Sequence, residues 1–95
     1  MTGRTVLPHD TSTVEATVRG VLRDVLGLSD ARAAELRGDT PLFGAMPELD
    51  SMAVAGVLTE MEERLGILID DDEVDGEMLE TFGALVRFAT DKVPQ

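Results

Sequence analysis

The residues whose types could take part in chemistry are an adjacent carboxylate and hydroxyl, Asp50 and Ser51. They lie where a loop rich in Gly and Pro ends and an amphipathic stretch begins. A serine at the first turn of a helix lies beside backbone N–H groups that lack partners and beside the positive end of the helix dipole. A phosphodiester on such a hydroxyl is electrostatically favoured, and an acidic neighbour suits a metal-dependent enzyme acting on the serine. The pair is therefore compatible with an attachment site. From the residues alone, a serine that only caps the helix is the favoured interpretation.

No other residue is placed to turn Ser51 into a nucleophile. The chain has no cysteine and one histidine, His9, which precedes the first predicted helix and is expected to be solvated. It has no Gly-x-Ser-x-Gly elbow, no phosphate-binding Gly-rich loop and no dinucleotide fingerprint. Because a serine hydroxyl needs a neighbouring base to attack a substrate, we predict no catalytic residues and a protein on which other enzymes act.

The run from Asp70 to Glu80 contains seven acids in eleven residues, which raises the question of a calcium loop. With Gly76 at the sixth position of such a loop, Asp71 is first and Phe82 is twelfth, where a bidentate glutamate is required. The essential ligand is missing. The run therefore predicts a solvated acidic face or a docking surface, and no metal site.

Two segments before Ser51 must position it. Residues 12–26 carry apolar side chains at helical spacing and begin with Ser12 and Glu15 arranged as a capping box. The long connection 28–50 has a helix-prone piece at 30–36, followed by Gly and Pro at intervals that prevent regular structure. Its apolar residues are expected to be buried anchors that pin the loop and fix where Ser51 points: Leu42, Phe43 and Met46.

The segment 51–65 predicts a helix whose buried stripe is Val54, Val57, Leu58, Met61 and Leu65. Residues 70–80 predict a short helix or a single turn, and Thr81 is placed to cap a last helix. The chain therefore predicts an all-α fold, a small four-helix bundle with three long helices, one short helix late in the chain and a long structured loop between helices 1 and 2. We expect residues 11–92 to form this domain, between tails at 1–10 and 93–95.

The net charge of −11 is uneven, because residues 41–95 hold three basic and thirteen acidic residues. Such a field repels nucleic acid and anionic lipid and favours basic protein surfaces. The sequence also lacks an apolar run long enough to cross a membrane and the apolar core of a signal peptide. These features predict a cytoplasmic monomer without nucleic-acid or membrane partners.

The run Leu49-Asp50-Ser51-Met52-Ala53-Val54, followed by Glu62-Glu63-Arg64-Leu65-Gly66-Ile67 and an acidic segment, resembles the second-helix region of acyl carrier proteins. The resemblance spans roughly residues 12–92. In that family the serine of "Asp-Ser-Leu" carries 4′-phosphopantetheine. The resemblance implies that a phosphopantetheinyl transferase attaches this cofactor covalently to Ser51, between Asp50 and Met52, and that its thiol holds acyl groups as thioesters.

The resemblance also implies partner enzymes with basic surfaces that load and transfer the acyl group. The residues expected to meet them lie on the loop, on the helix face in register with Ser51 and on the acidic run: Glu48, Ala55, Thr59, Glu62, Glu63, Asp70, Asp71, Asp72 and Glu73. Met52 is either a further contact for a partner or packs at the start of the helix.

Two features depart from the carriers of fatty acid synthesis. The serine is approached through Gly44-Ala45-Met46-Pro47-Glu48-Leu49-Asp50, and the first turns of the helix carry Ala53 and Gly56 where acids are usual. These departures favour a stand-alone bacterial carrier of a specialised pathway, such as surface-polymer synthesis or protein sorting. The alternative is an acidic helical interaction module that is never modified.

Overall fold

A computed structural model describes residues 11–93, in which the chain forms four α-helices. They are α1 (Thr11–Leu26), α2 (Asp30–Ala34), α3 (Ser51–Leu65) and α4 (Phe82–Lys92), with a 3-10 turn at Asp71–Glu73. These residues contain no β-strand, only an isolated bridge between Pro41 and Thr81. The predicted all-α bundle of three long helices and one short helix is confirmed. The predicted tail 1–10, with His9, and most of the tail 93–95 lie outside the described residues.

The short helix lies elsewhere than predicted. It is α2, inside the first connection, whereas residues 70–80 form one 3-10 turn followed by non-helical turns. Four consecutive acids, Asp70 to Glu73, repel one another along a helix, and Gly76 adds backbone entropy to the cost of extending it. The segment therefore stops at a single turn, which was the other outcome that its sequence allowed.

Local signals set most helix ends. Gly66 ends α3 and Gly27 follows α1, both with a φ of 68°, a conformation that glycine adopts without steric cost. Thr81 caps α4 as predicted, because its hydroxyl accepts a hydrogen bond from the backbone N–H of Ala84 at 3.1 Å. The start of α1 differs: the helix begins at Thr11, so Ser12 lies inside it rather than at its cap.

The core is aliphatic and lies between α1, α3 and α4. The predicted stripe of α3 is confirmed, with Val57, Met61 and Leu65 buried and Val54 and Leu58 partly buried against them. The side chains from the other elements that are fully buried include Val14, Val18, Val21, Leu22, Leu42, Leu85 and Ala89. Within the described part of the chain, no helix is long and apolar enough to cross a membrane.

The long loop before α3 is tied to the segment before α4 by backbone hydrogen bonds. Leu42 and Phe43 donate to the carbonyls of Glu80 and Leu79, each at 2.9 Å. From the other side, the N–H groups of residues 82 and 83 donate to the carbonyls of residues 40 and 38, also at 2.9 Å. We call these four bonds the loop seam. They satisfy backbone N–H and C=O groups that have no partner within a helix or a strand.

The predicted loop anchors are only partly right. Leu42 is fully buried and Met46 packs against the core, but half of the Phe43 surface is exposed. Phe43 begins the turn that follows Leu42, and its side chain is directed toward the surface instead of into the core. Leu42 therefore enters the core while Phe43 faces the start of α3.

Arg19 of α1 holds the short helix α2 in place. Its Nη1 donates to the carbonyls of Ala33 at 2.7 Å and Leu36 at 2.9 Å, which lie at the end of α2. Its Nη2 donates to Glu15 at 2.8 Å, and the guanidinium stacks 5.0 Å from the centre of the Phe82 ring. The contacts join α1, α2 and α4, so α2 is anchored although it has only five residues.

Candidate functional site

Asp50, and not Ser51, caps helix α3. The Asp50 backbone is extended, and its Oδ1 accepts a hydrogen bond from the backbone N–H of Ala53 at 2.8 Å. Ser51 is therefore the first residue of the helix, and it is exposed. Within the described residues its hydroxyl makes no hydrogen bond. The interpretation of Ser51 as a helix cap is wrong, and its hydroxyl is available for chemistry at the positive end of the α3 dipole.

The neighbours of Ser51 on α3 divide between surface and core. Met52 is 84% exposed, so it does not pack at the helix start and lies on the surface. Ala53 and Val54 pack against the core. Gly56 faces α1, since a Cβ built on it would lie 3.2 Å from Val25 Cγ1. At the two positions that depart from the usual pattern, Ala53 and Gly56 are half-buried, while the exposed early positions of α3 are Ser51, Met52 and Ala55.

An apolar cavity of about 260 Å³ opens beside the serine. Its wall combines the loop before α3, the first turn of α3 and the segment before α4, through Phe43, Ser51, Val54, Val74, Asp75, Gly76 and Leu79. Most of the exposed lining is apolar, and the depression is open to solvent. The cavity therefore offers space for an apolar chain beside Ser51.

Six of the residues predicted to face partners are exposed: Ala55, Thr59, Glu63, Asp70, Asp71 and Asp72. Their carboxylates form no ion pair within residues 11–93. The acidic segment and the outer face of α3 thus form a negatively charged surface. We call these six residues the acidic face.

Three further residues predicted to face partners, Glu48, Glu62 and Glu73, are used inside the protein. Glu62 Oε2 accepts a hydrogen bond from the Ile69 N–H at 2.8 Å, which fixes the linker after α3. Both oxygens of Glu73 accept hydrogen bonds from Lys92 Nζ, at 2.8 and 2.9 Å. Glu48 forms an ion pair with Arg32. These carboxylates brace the loops around the site rather than standing free on its surface.

The ion pairs perturb two of these carboxyl groups. The hydrogen bond from Arg32, followed by the N–H of its own backbone, holds the pKa of Glu48 below its usual value. The hydrogen bond from Lys92, followed by the N–H of Asp70, lowers the pKa of Glu73 in the same way. Both groups remain charged under mildly acidic conditions. In the described part of the chain, no group of three or more acidic or histidine side chains is arranged to hold a metal ion.

The sequence did not predict that Phe43, Val74 and Leu79 line the cavity, or that Arg32 pairs with Glu48. The cavity residues come from three segments that only the folded chain brings together. Arg32 and Glu48 are 16 residues apart and lie on different elements. No periodic pattern connects such positions. The one available signal was the apolar character of Phe43 in a polar loop.

Comparisons with known proteins agree with this geometry. Residues 16–89 match the sequence model of the family described as "Phosphopantetheine attachment site". The fold is similar to the solution NMR structure of a holo acyl carrier protein from Nitrosomonas europaea, with 44% sequence identity and a TM-score of 0.73. The similarity covers 82% of this chain and 92% of that one. The comparison with curated protein sequences found no match.

Proposed function

The chain belongs to the acyl carrier protein family, and we propose that Ser51 is the residue to which its covalent 4′-phosphopantetheine is attached. The observation that carries the proposal is the division of roles at the start of α3. Asp50 caps the helix, and the Ser51 hydroxyl is exposed with no hydrogen bond within the described residues. The unpaired N–H groups of the first turn favour a phosphodiester at this position.

The attachment is a phosphoryl transfer carried out by a phosphopantetheinyl transferase. Ser51 Oγ forms a bond to the phosphorus next to the pantetheine of coenzyme A, and the pyrophosphate P–O bond breaks so that 3′,5′-ADP leaves. The hydroxyl proton passes to a base of the transferase, because no base among residues 11–93 lies within hydrogen-bonding distance of the Ser51 hydroxyl. Asp50 lies beside the reacting oxygen, where its carboxylate suits the metal ion of the transferase. When attached, the arm supplies a terminal thiol that holds an acyl group as a thioester.

This protein contributes tethering, shelter and recognition rather than catalysis. A tether raises the effective concentration of the acyl group at each partner enzyme. The cavity beside Ser51 provides apolar surface for a cargo. The acidic face attracts basic partners over a distance and leaves the complex weak enough to dissociate.

We place the carrier in a specialised bacterial pathway, serving loading and transferring enzymes with basic surfaces in the cytoplasm. Ala53 and Gly56 on the first turns of α3 support this assignment, because neither is acidic. Carriers of fatty acid synthesis usually have acids there. Partners of this chain would therefore meet an apolar and polar surface next to the serine and acids only farther along the helix.

Intact-mass spectrometry tests the proposal. Incubation of the protein with coenzyme A and a phosphopantetheinyl transferase is expected to add the mass of one arm, and Ser51→Ala is expected to abolish the addition. Thr90→Ala is the control, since it removes a hydroxyl from α4, away from the residues predicted to face partners, and is expected to be modified like the wild type. A wild-type mass that stays unchanged with several transferases would favour the alternative, an acidic interaction module that is never modified.

A further inference from the structure

The loop that delivers Ser51 is fastened to α2 by one side-chain contact. Arg32 Nη1, in the last turn of α2, donates a hydrogen bond to Glu48 Oε2, three residues before Ser51. The other oxygen of the carboxylate, Oε1, is buried and accepts no hydrogen bond from the described residues. The guanidinium is thus the group that compensates the charge of Glu48.

Both ends of this contact are held by the fold. On one side, Arg19 of α1 binds the carbonyls of Ala33 and Leu36, and the Ser29 hydroxyl accepts a hydrogen bond from the Arg32 N–H at 3.1 Å. On the other side, the chain passes from Glu48 through the buried side chain of Leu49 into the cap of α3. A continuous set of contacts therefore runs from α1 through α2 to the residue before Ser51.

We propose that Arg32 and Glu48 are positioning residues for the modification of Ser51. The ion pair fixes the last residues of the loop, so that the hydroxyl meets the transferase in one orientation. This inference rests on the proposed attachment at Ser51. It also gives Glu48 a different role from the one expected from the sequence, in which its charge would bind a basic partner.

The geometry favours positioning over docking. The Glu48 charge is already matched by Arg32, and only 31% of the side chain is exposed. A basic partner would have to displace the guanidinium before it could bind Glu48, whereas the carboxylates of the acidic face make no ion pair within residues 11–93. Small errors in the placement of reacting groups lower the rate of the chemical step strongly.

The test exchanges the two charges. The variants are Arg32→Glu, Glu48→Arg and the double variant, each assayed for arm addition with coenzyme A and one transferase over a range of carrier concentrations. We expect each single variant to lower kcat about tenfold with little change in KM, because the binding surface is intact and the orientation is lost. We expect the double variant to recover to within about twofold of the wild type, because the ion pair is restored with its charges reversed.

Two controls keep the result interpretable. Arg64→Glu breaks another ion pair between elements, Arg64–Asp24 at 2.9 Å, and is expected to leave kcat unchanged. The neutral variants Arg32→Gln and Glu48→Gln repeat the comparison without charge reversal, and thermal unfolding of every variant reports its folding. Surface ion pairs contribute little to stability, so the unfolding temperatures are expected to remain close to the wild type.

A docking role for Glu48 predicts a different pattern. Glu48→Arg would raise KM, and the double variant would bind no better, since position 48 would still repel a basic partner. That pattern, or a kcat that the double variant does not restore, would overturn the positioning role. Absence of arm addition to the wild type would overturn the attachment at Ser51 and this inference together, so the two failures are distinguishable.

Discussion

Two adjacent side chains at the start of α3 have separate tasks. Asp50 satisfies the N–H of Ala53, which leaves Ser51 exposed without a structural hydrogen bond inside the described chain. A serine that capped the helix would accept that bond through the same oxygen that is esterified, and a phosphoester oxygen is a weaker acceptor than a hydroxyl oxygen. The arrangement therefore allows attachment at Ser51 without loss of the helix cap.

The role of Asp50 in stability can be measured separately from any role in modification. Asp50→Ala is expected to lower the free energy of unfolding by about 1 kcal/mol, because an N–H of the first turn loses its acceptor. Asp50→Asn keeps an acceptor oxygen and is expected to lose much less. Urea unfolding followed by circular dichroism gives these values, with Ser51→Ala as the control near wild type. A loss from Ser51→Ala as large as that from Asp50→Ala would instead assign the cap to the serine.

The sequence is sufficient to single out Asp50 and Ser51 as the candidate site, but it does not show which of the two caps α3. Asp and Ser are both strong cap residues, and they are neighbours, so propensity cannot decide which one is the cap. The orientation of Phe43 was beyond prediction for a related reason. Its exposure depends on the path of a loop without a repeating pattern, and only its apolar type was visible beforehand.

The loop seam is the interaction between elements that shapes the cavity wall. It joins residues 38–43 to residues 79–83 and brings the backbones of Gly38 and Gly83 into contact. A Cβ built on Gly83 would lie 2.6 Å from the Gly38 carbonyl oxygen and 3.0 Å from its Cα. Because both atoms belong to the backbone, the contact cannot be relieved by rotating a side chain.

Gly83→Ala is therefore expected to destabilise the protein by about 1–3 kcal/mol, the usual cost of overpacking. Gly20→Ala in α1 is the matched control, since its Cβ would meet only Arg64 Nη1 at an ordinary 3.5 Å. That variant is expected to be neutral or to gain up to about 1 kcal/mol from helix propensity. Urea unfolding of both variants measures the difference. Equal effects of the two substitutions on the free energy of unfolding would show that the loop seam can accommodate a Cβ at position 83.

Elements with local signals were predictable, and contacts between distant segments were not. The buried residues Val57, Met61 and Leu65 repeat at helical spacing. Gly66 ends α3, and Thr81 caps the start of α4. The seam joins backbone groups about forty residues apart, which leaves no trace in residue type except two glycines. The sequence marked 30–36 as helix-prone but placed the short helix of the bundle later in the chain, because the five residues of α2 have little apolar periodicity and owe their order to Arg19.

At the scale of the whole molecule, the surface charge is unevenly distributed, because many basic residues are neutralised by ion pairs with acidic residues. Of the basic residues after position 11, most form ion pairs within the described chain: Arg19, Arg23, Arg32, Arg64 and Lys92. The acidic face keeps its charges unpaired. The net charge of −11 is thus expressed mainly as a negative field around the outer face of α3 and the segment after it, which suits rapid encounter with basic partners.

The segment after α3 is held to the end of α4 by Glu73 and Lys92, and this contact makes stability depend on pH. Lys92 lowers the pKa of Glu73 in the folded protein below the ordinary value of 4.5. The unfolded chain therefore binds a proton more readily than the folded one. The stabilisation is complete above about pH 4.5 and is lost as the pH falls through the lower folded pKa.

Lys92→Gln removes this contribution, so its unfolding temperature is expected to lie below that of the wild type near pH 7 and to converge with it as the pH falls below the folded pKa of Glu73. Arg87→Gln is the matched control, because it removes one positive charge from the same helix at an exposed residue that forms no ion pair in the described chain. Thermal unfolding by circular dichroism across this pH range measures both. Since the two variants have the same net charge, general electrostatic repulsion changes both alike, and only the loss of the Glu73 contact makes the gap for Lys92→Gln close in acid. A gap that stays constant from neutral to acidic pH would show that the contact does not stabilise the fold.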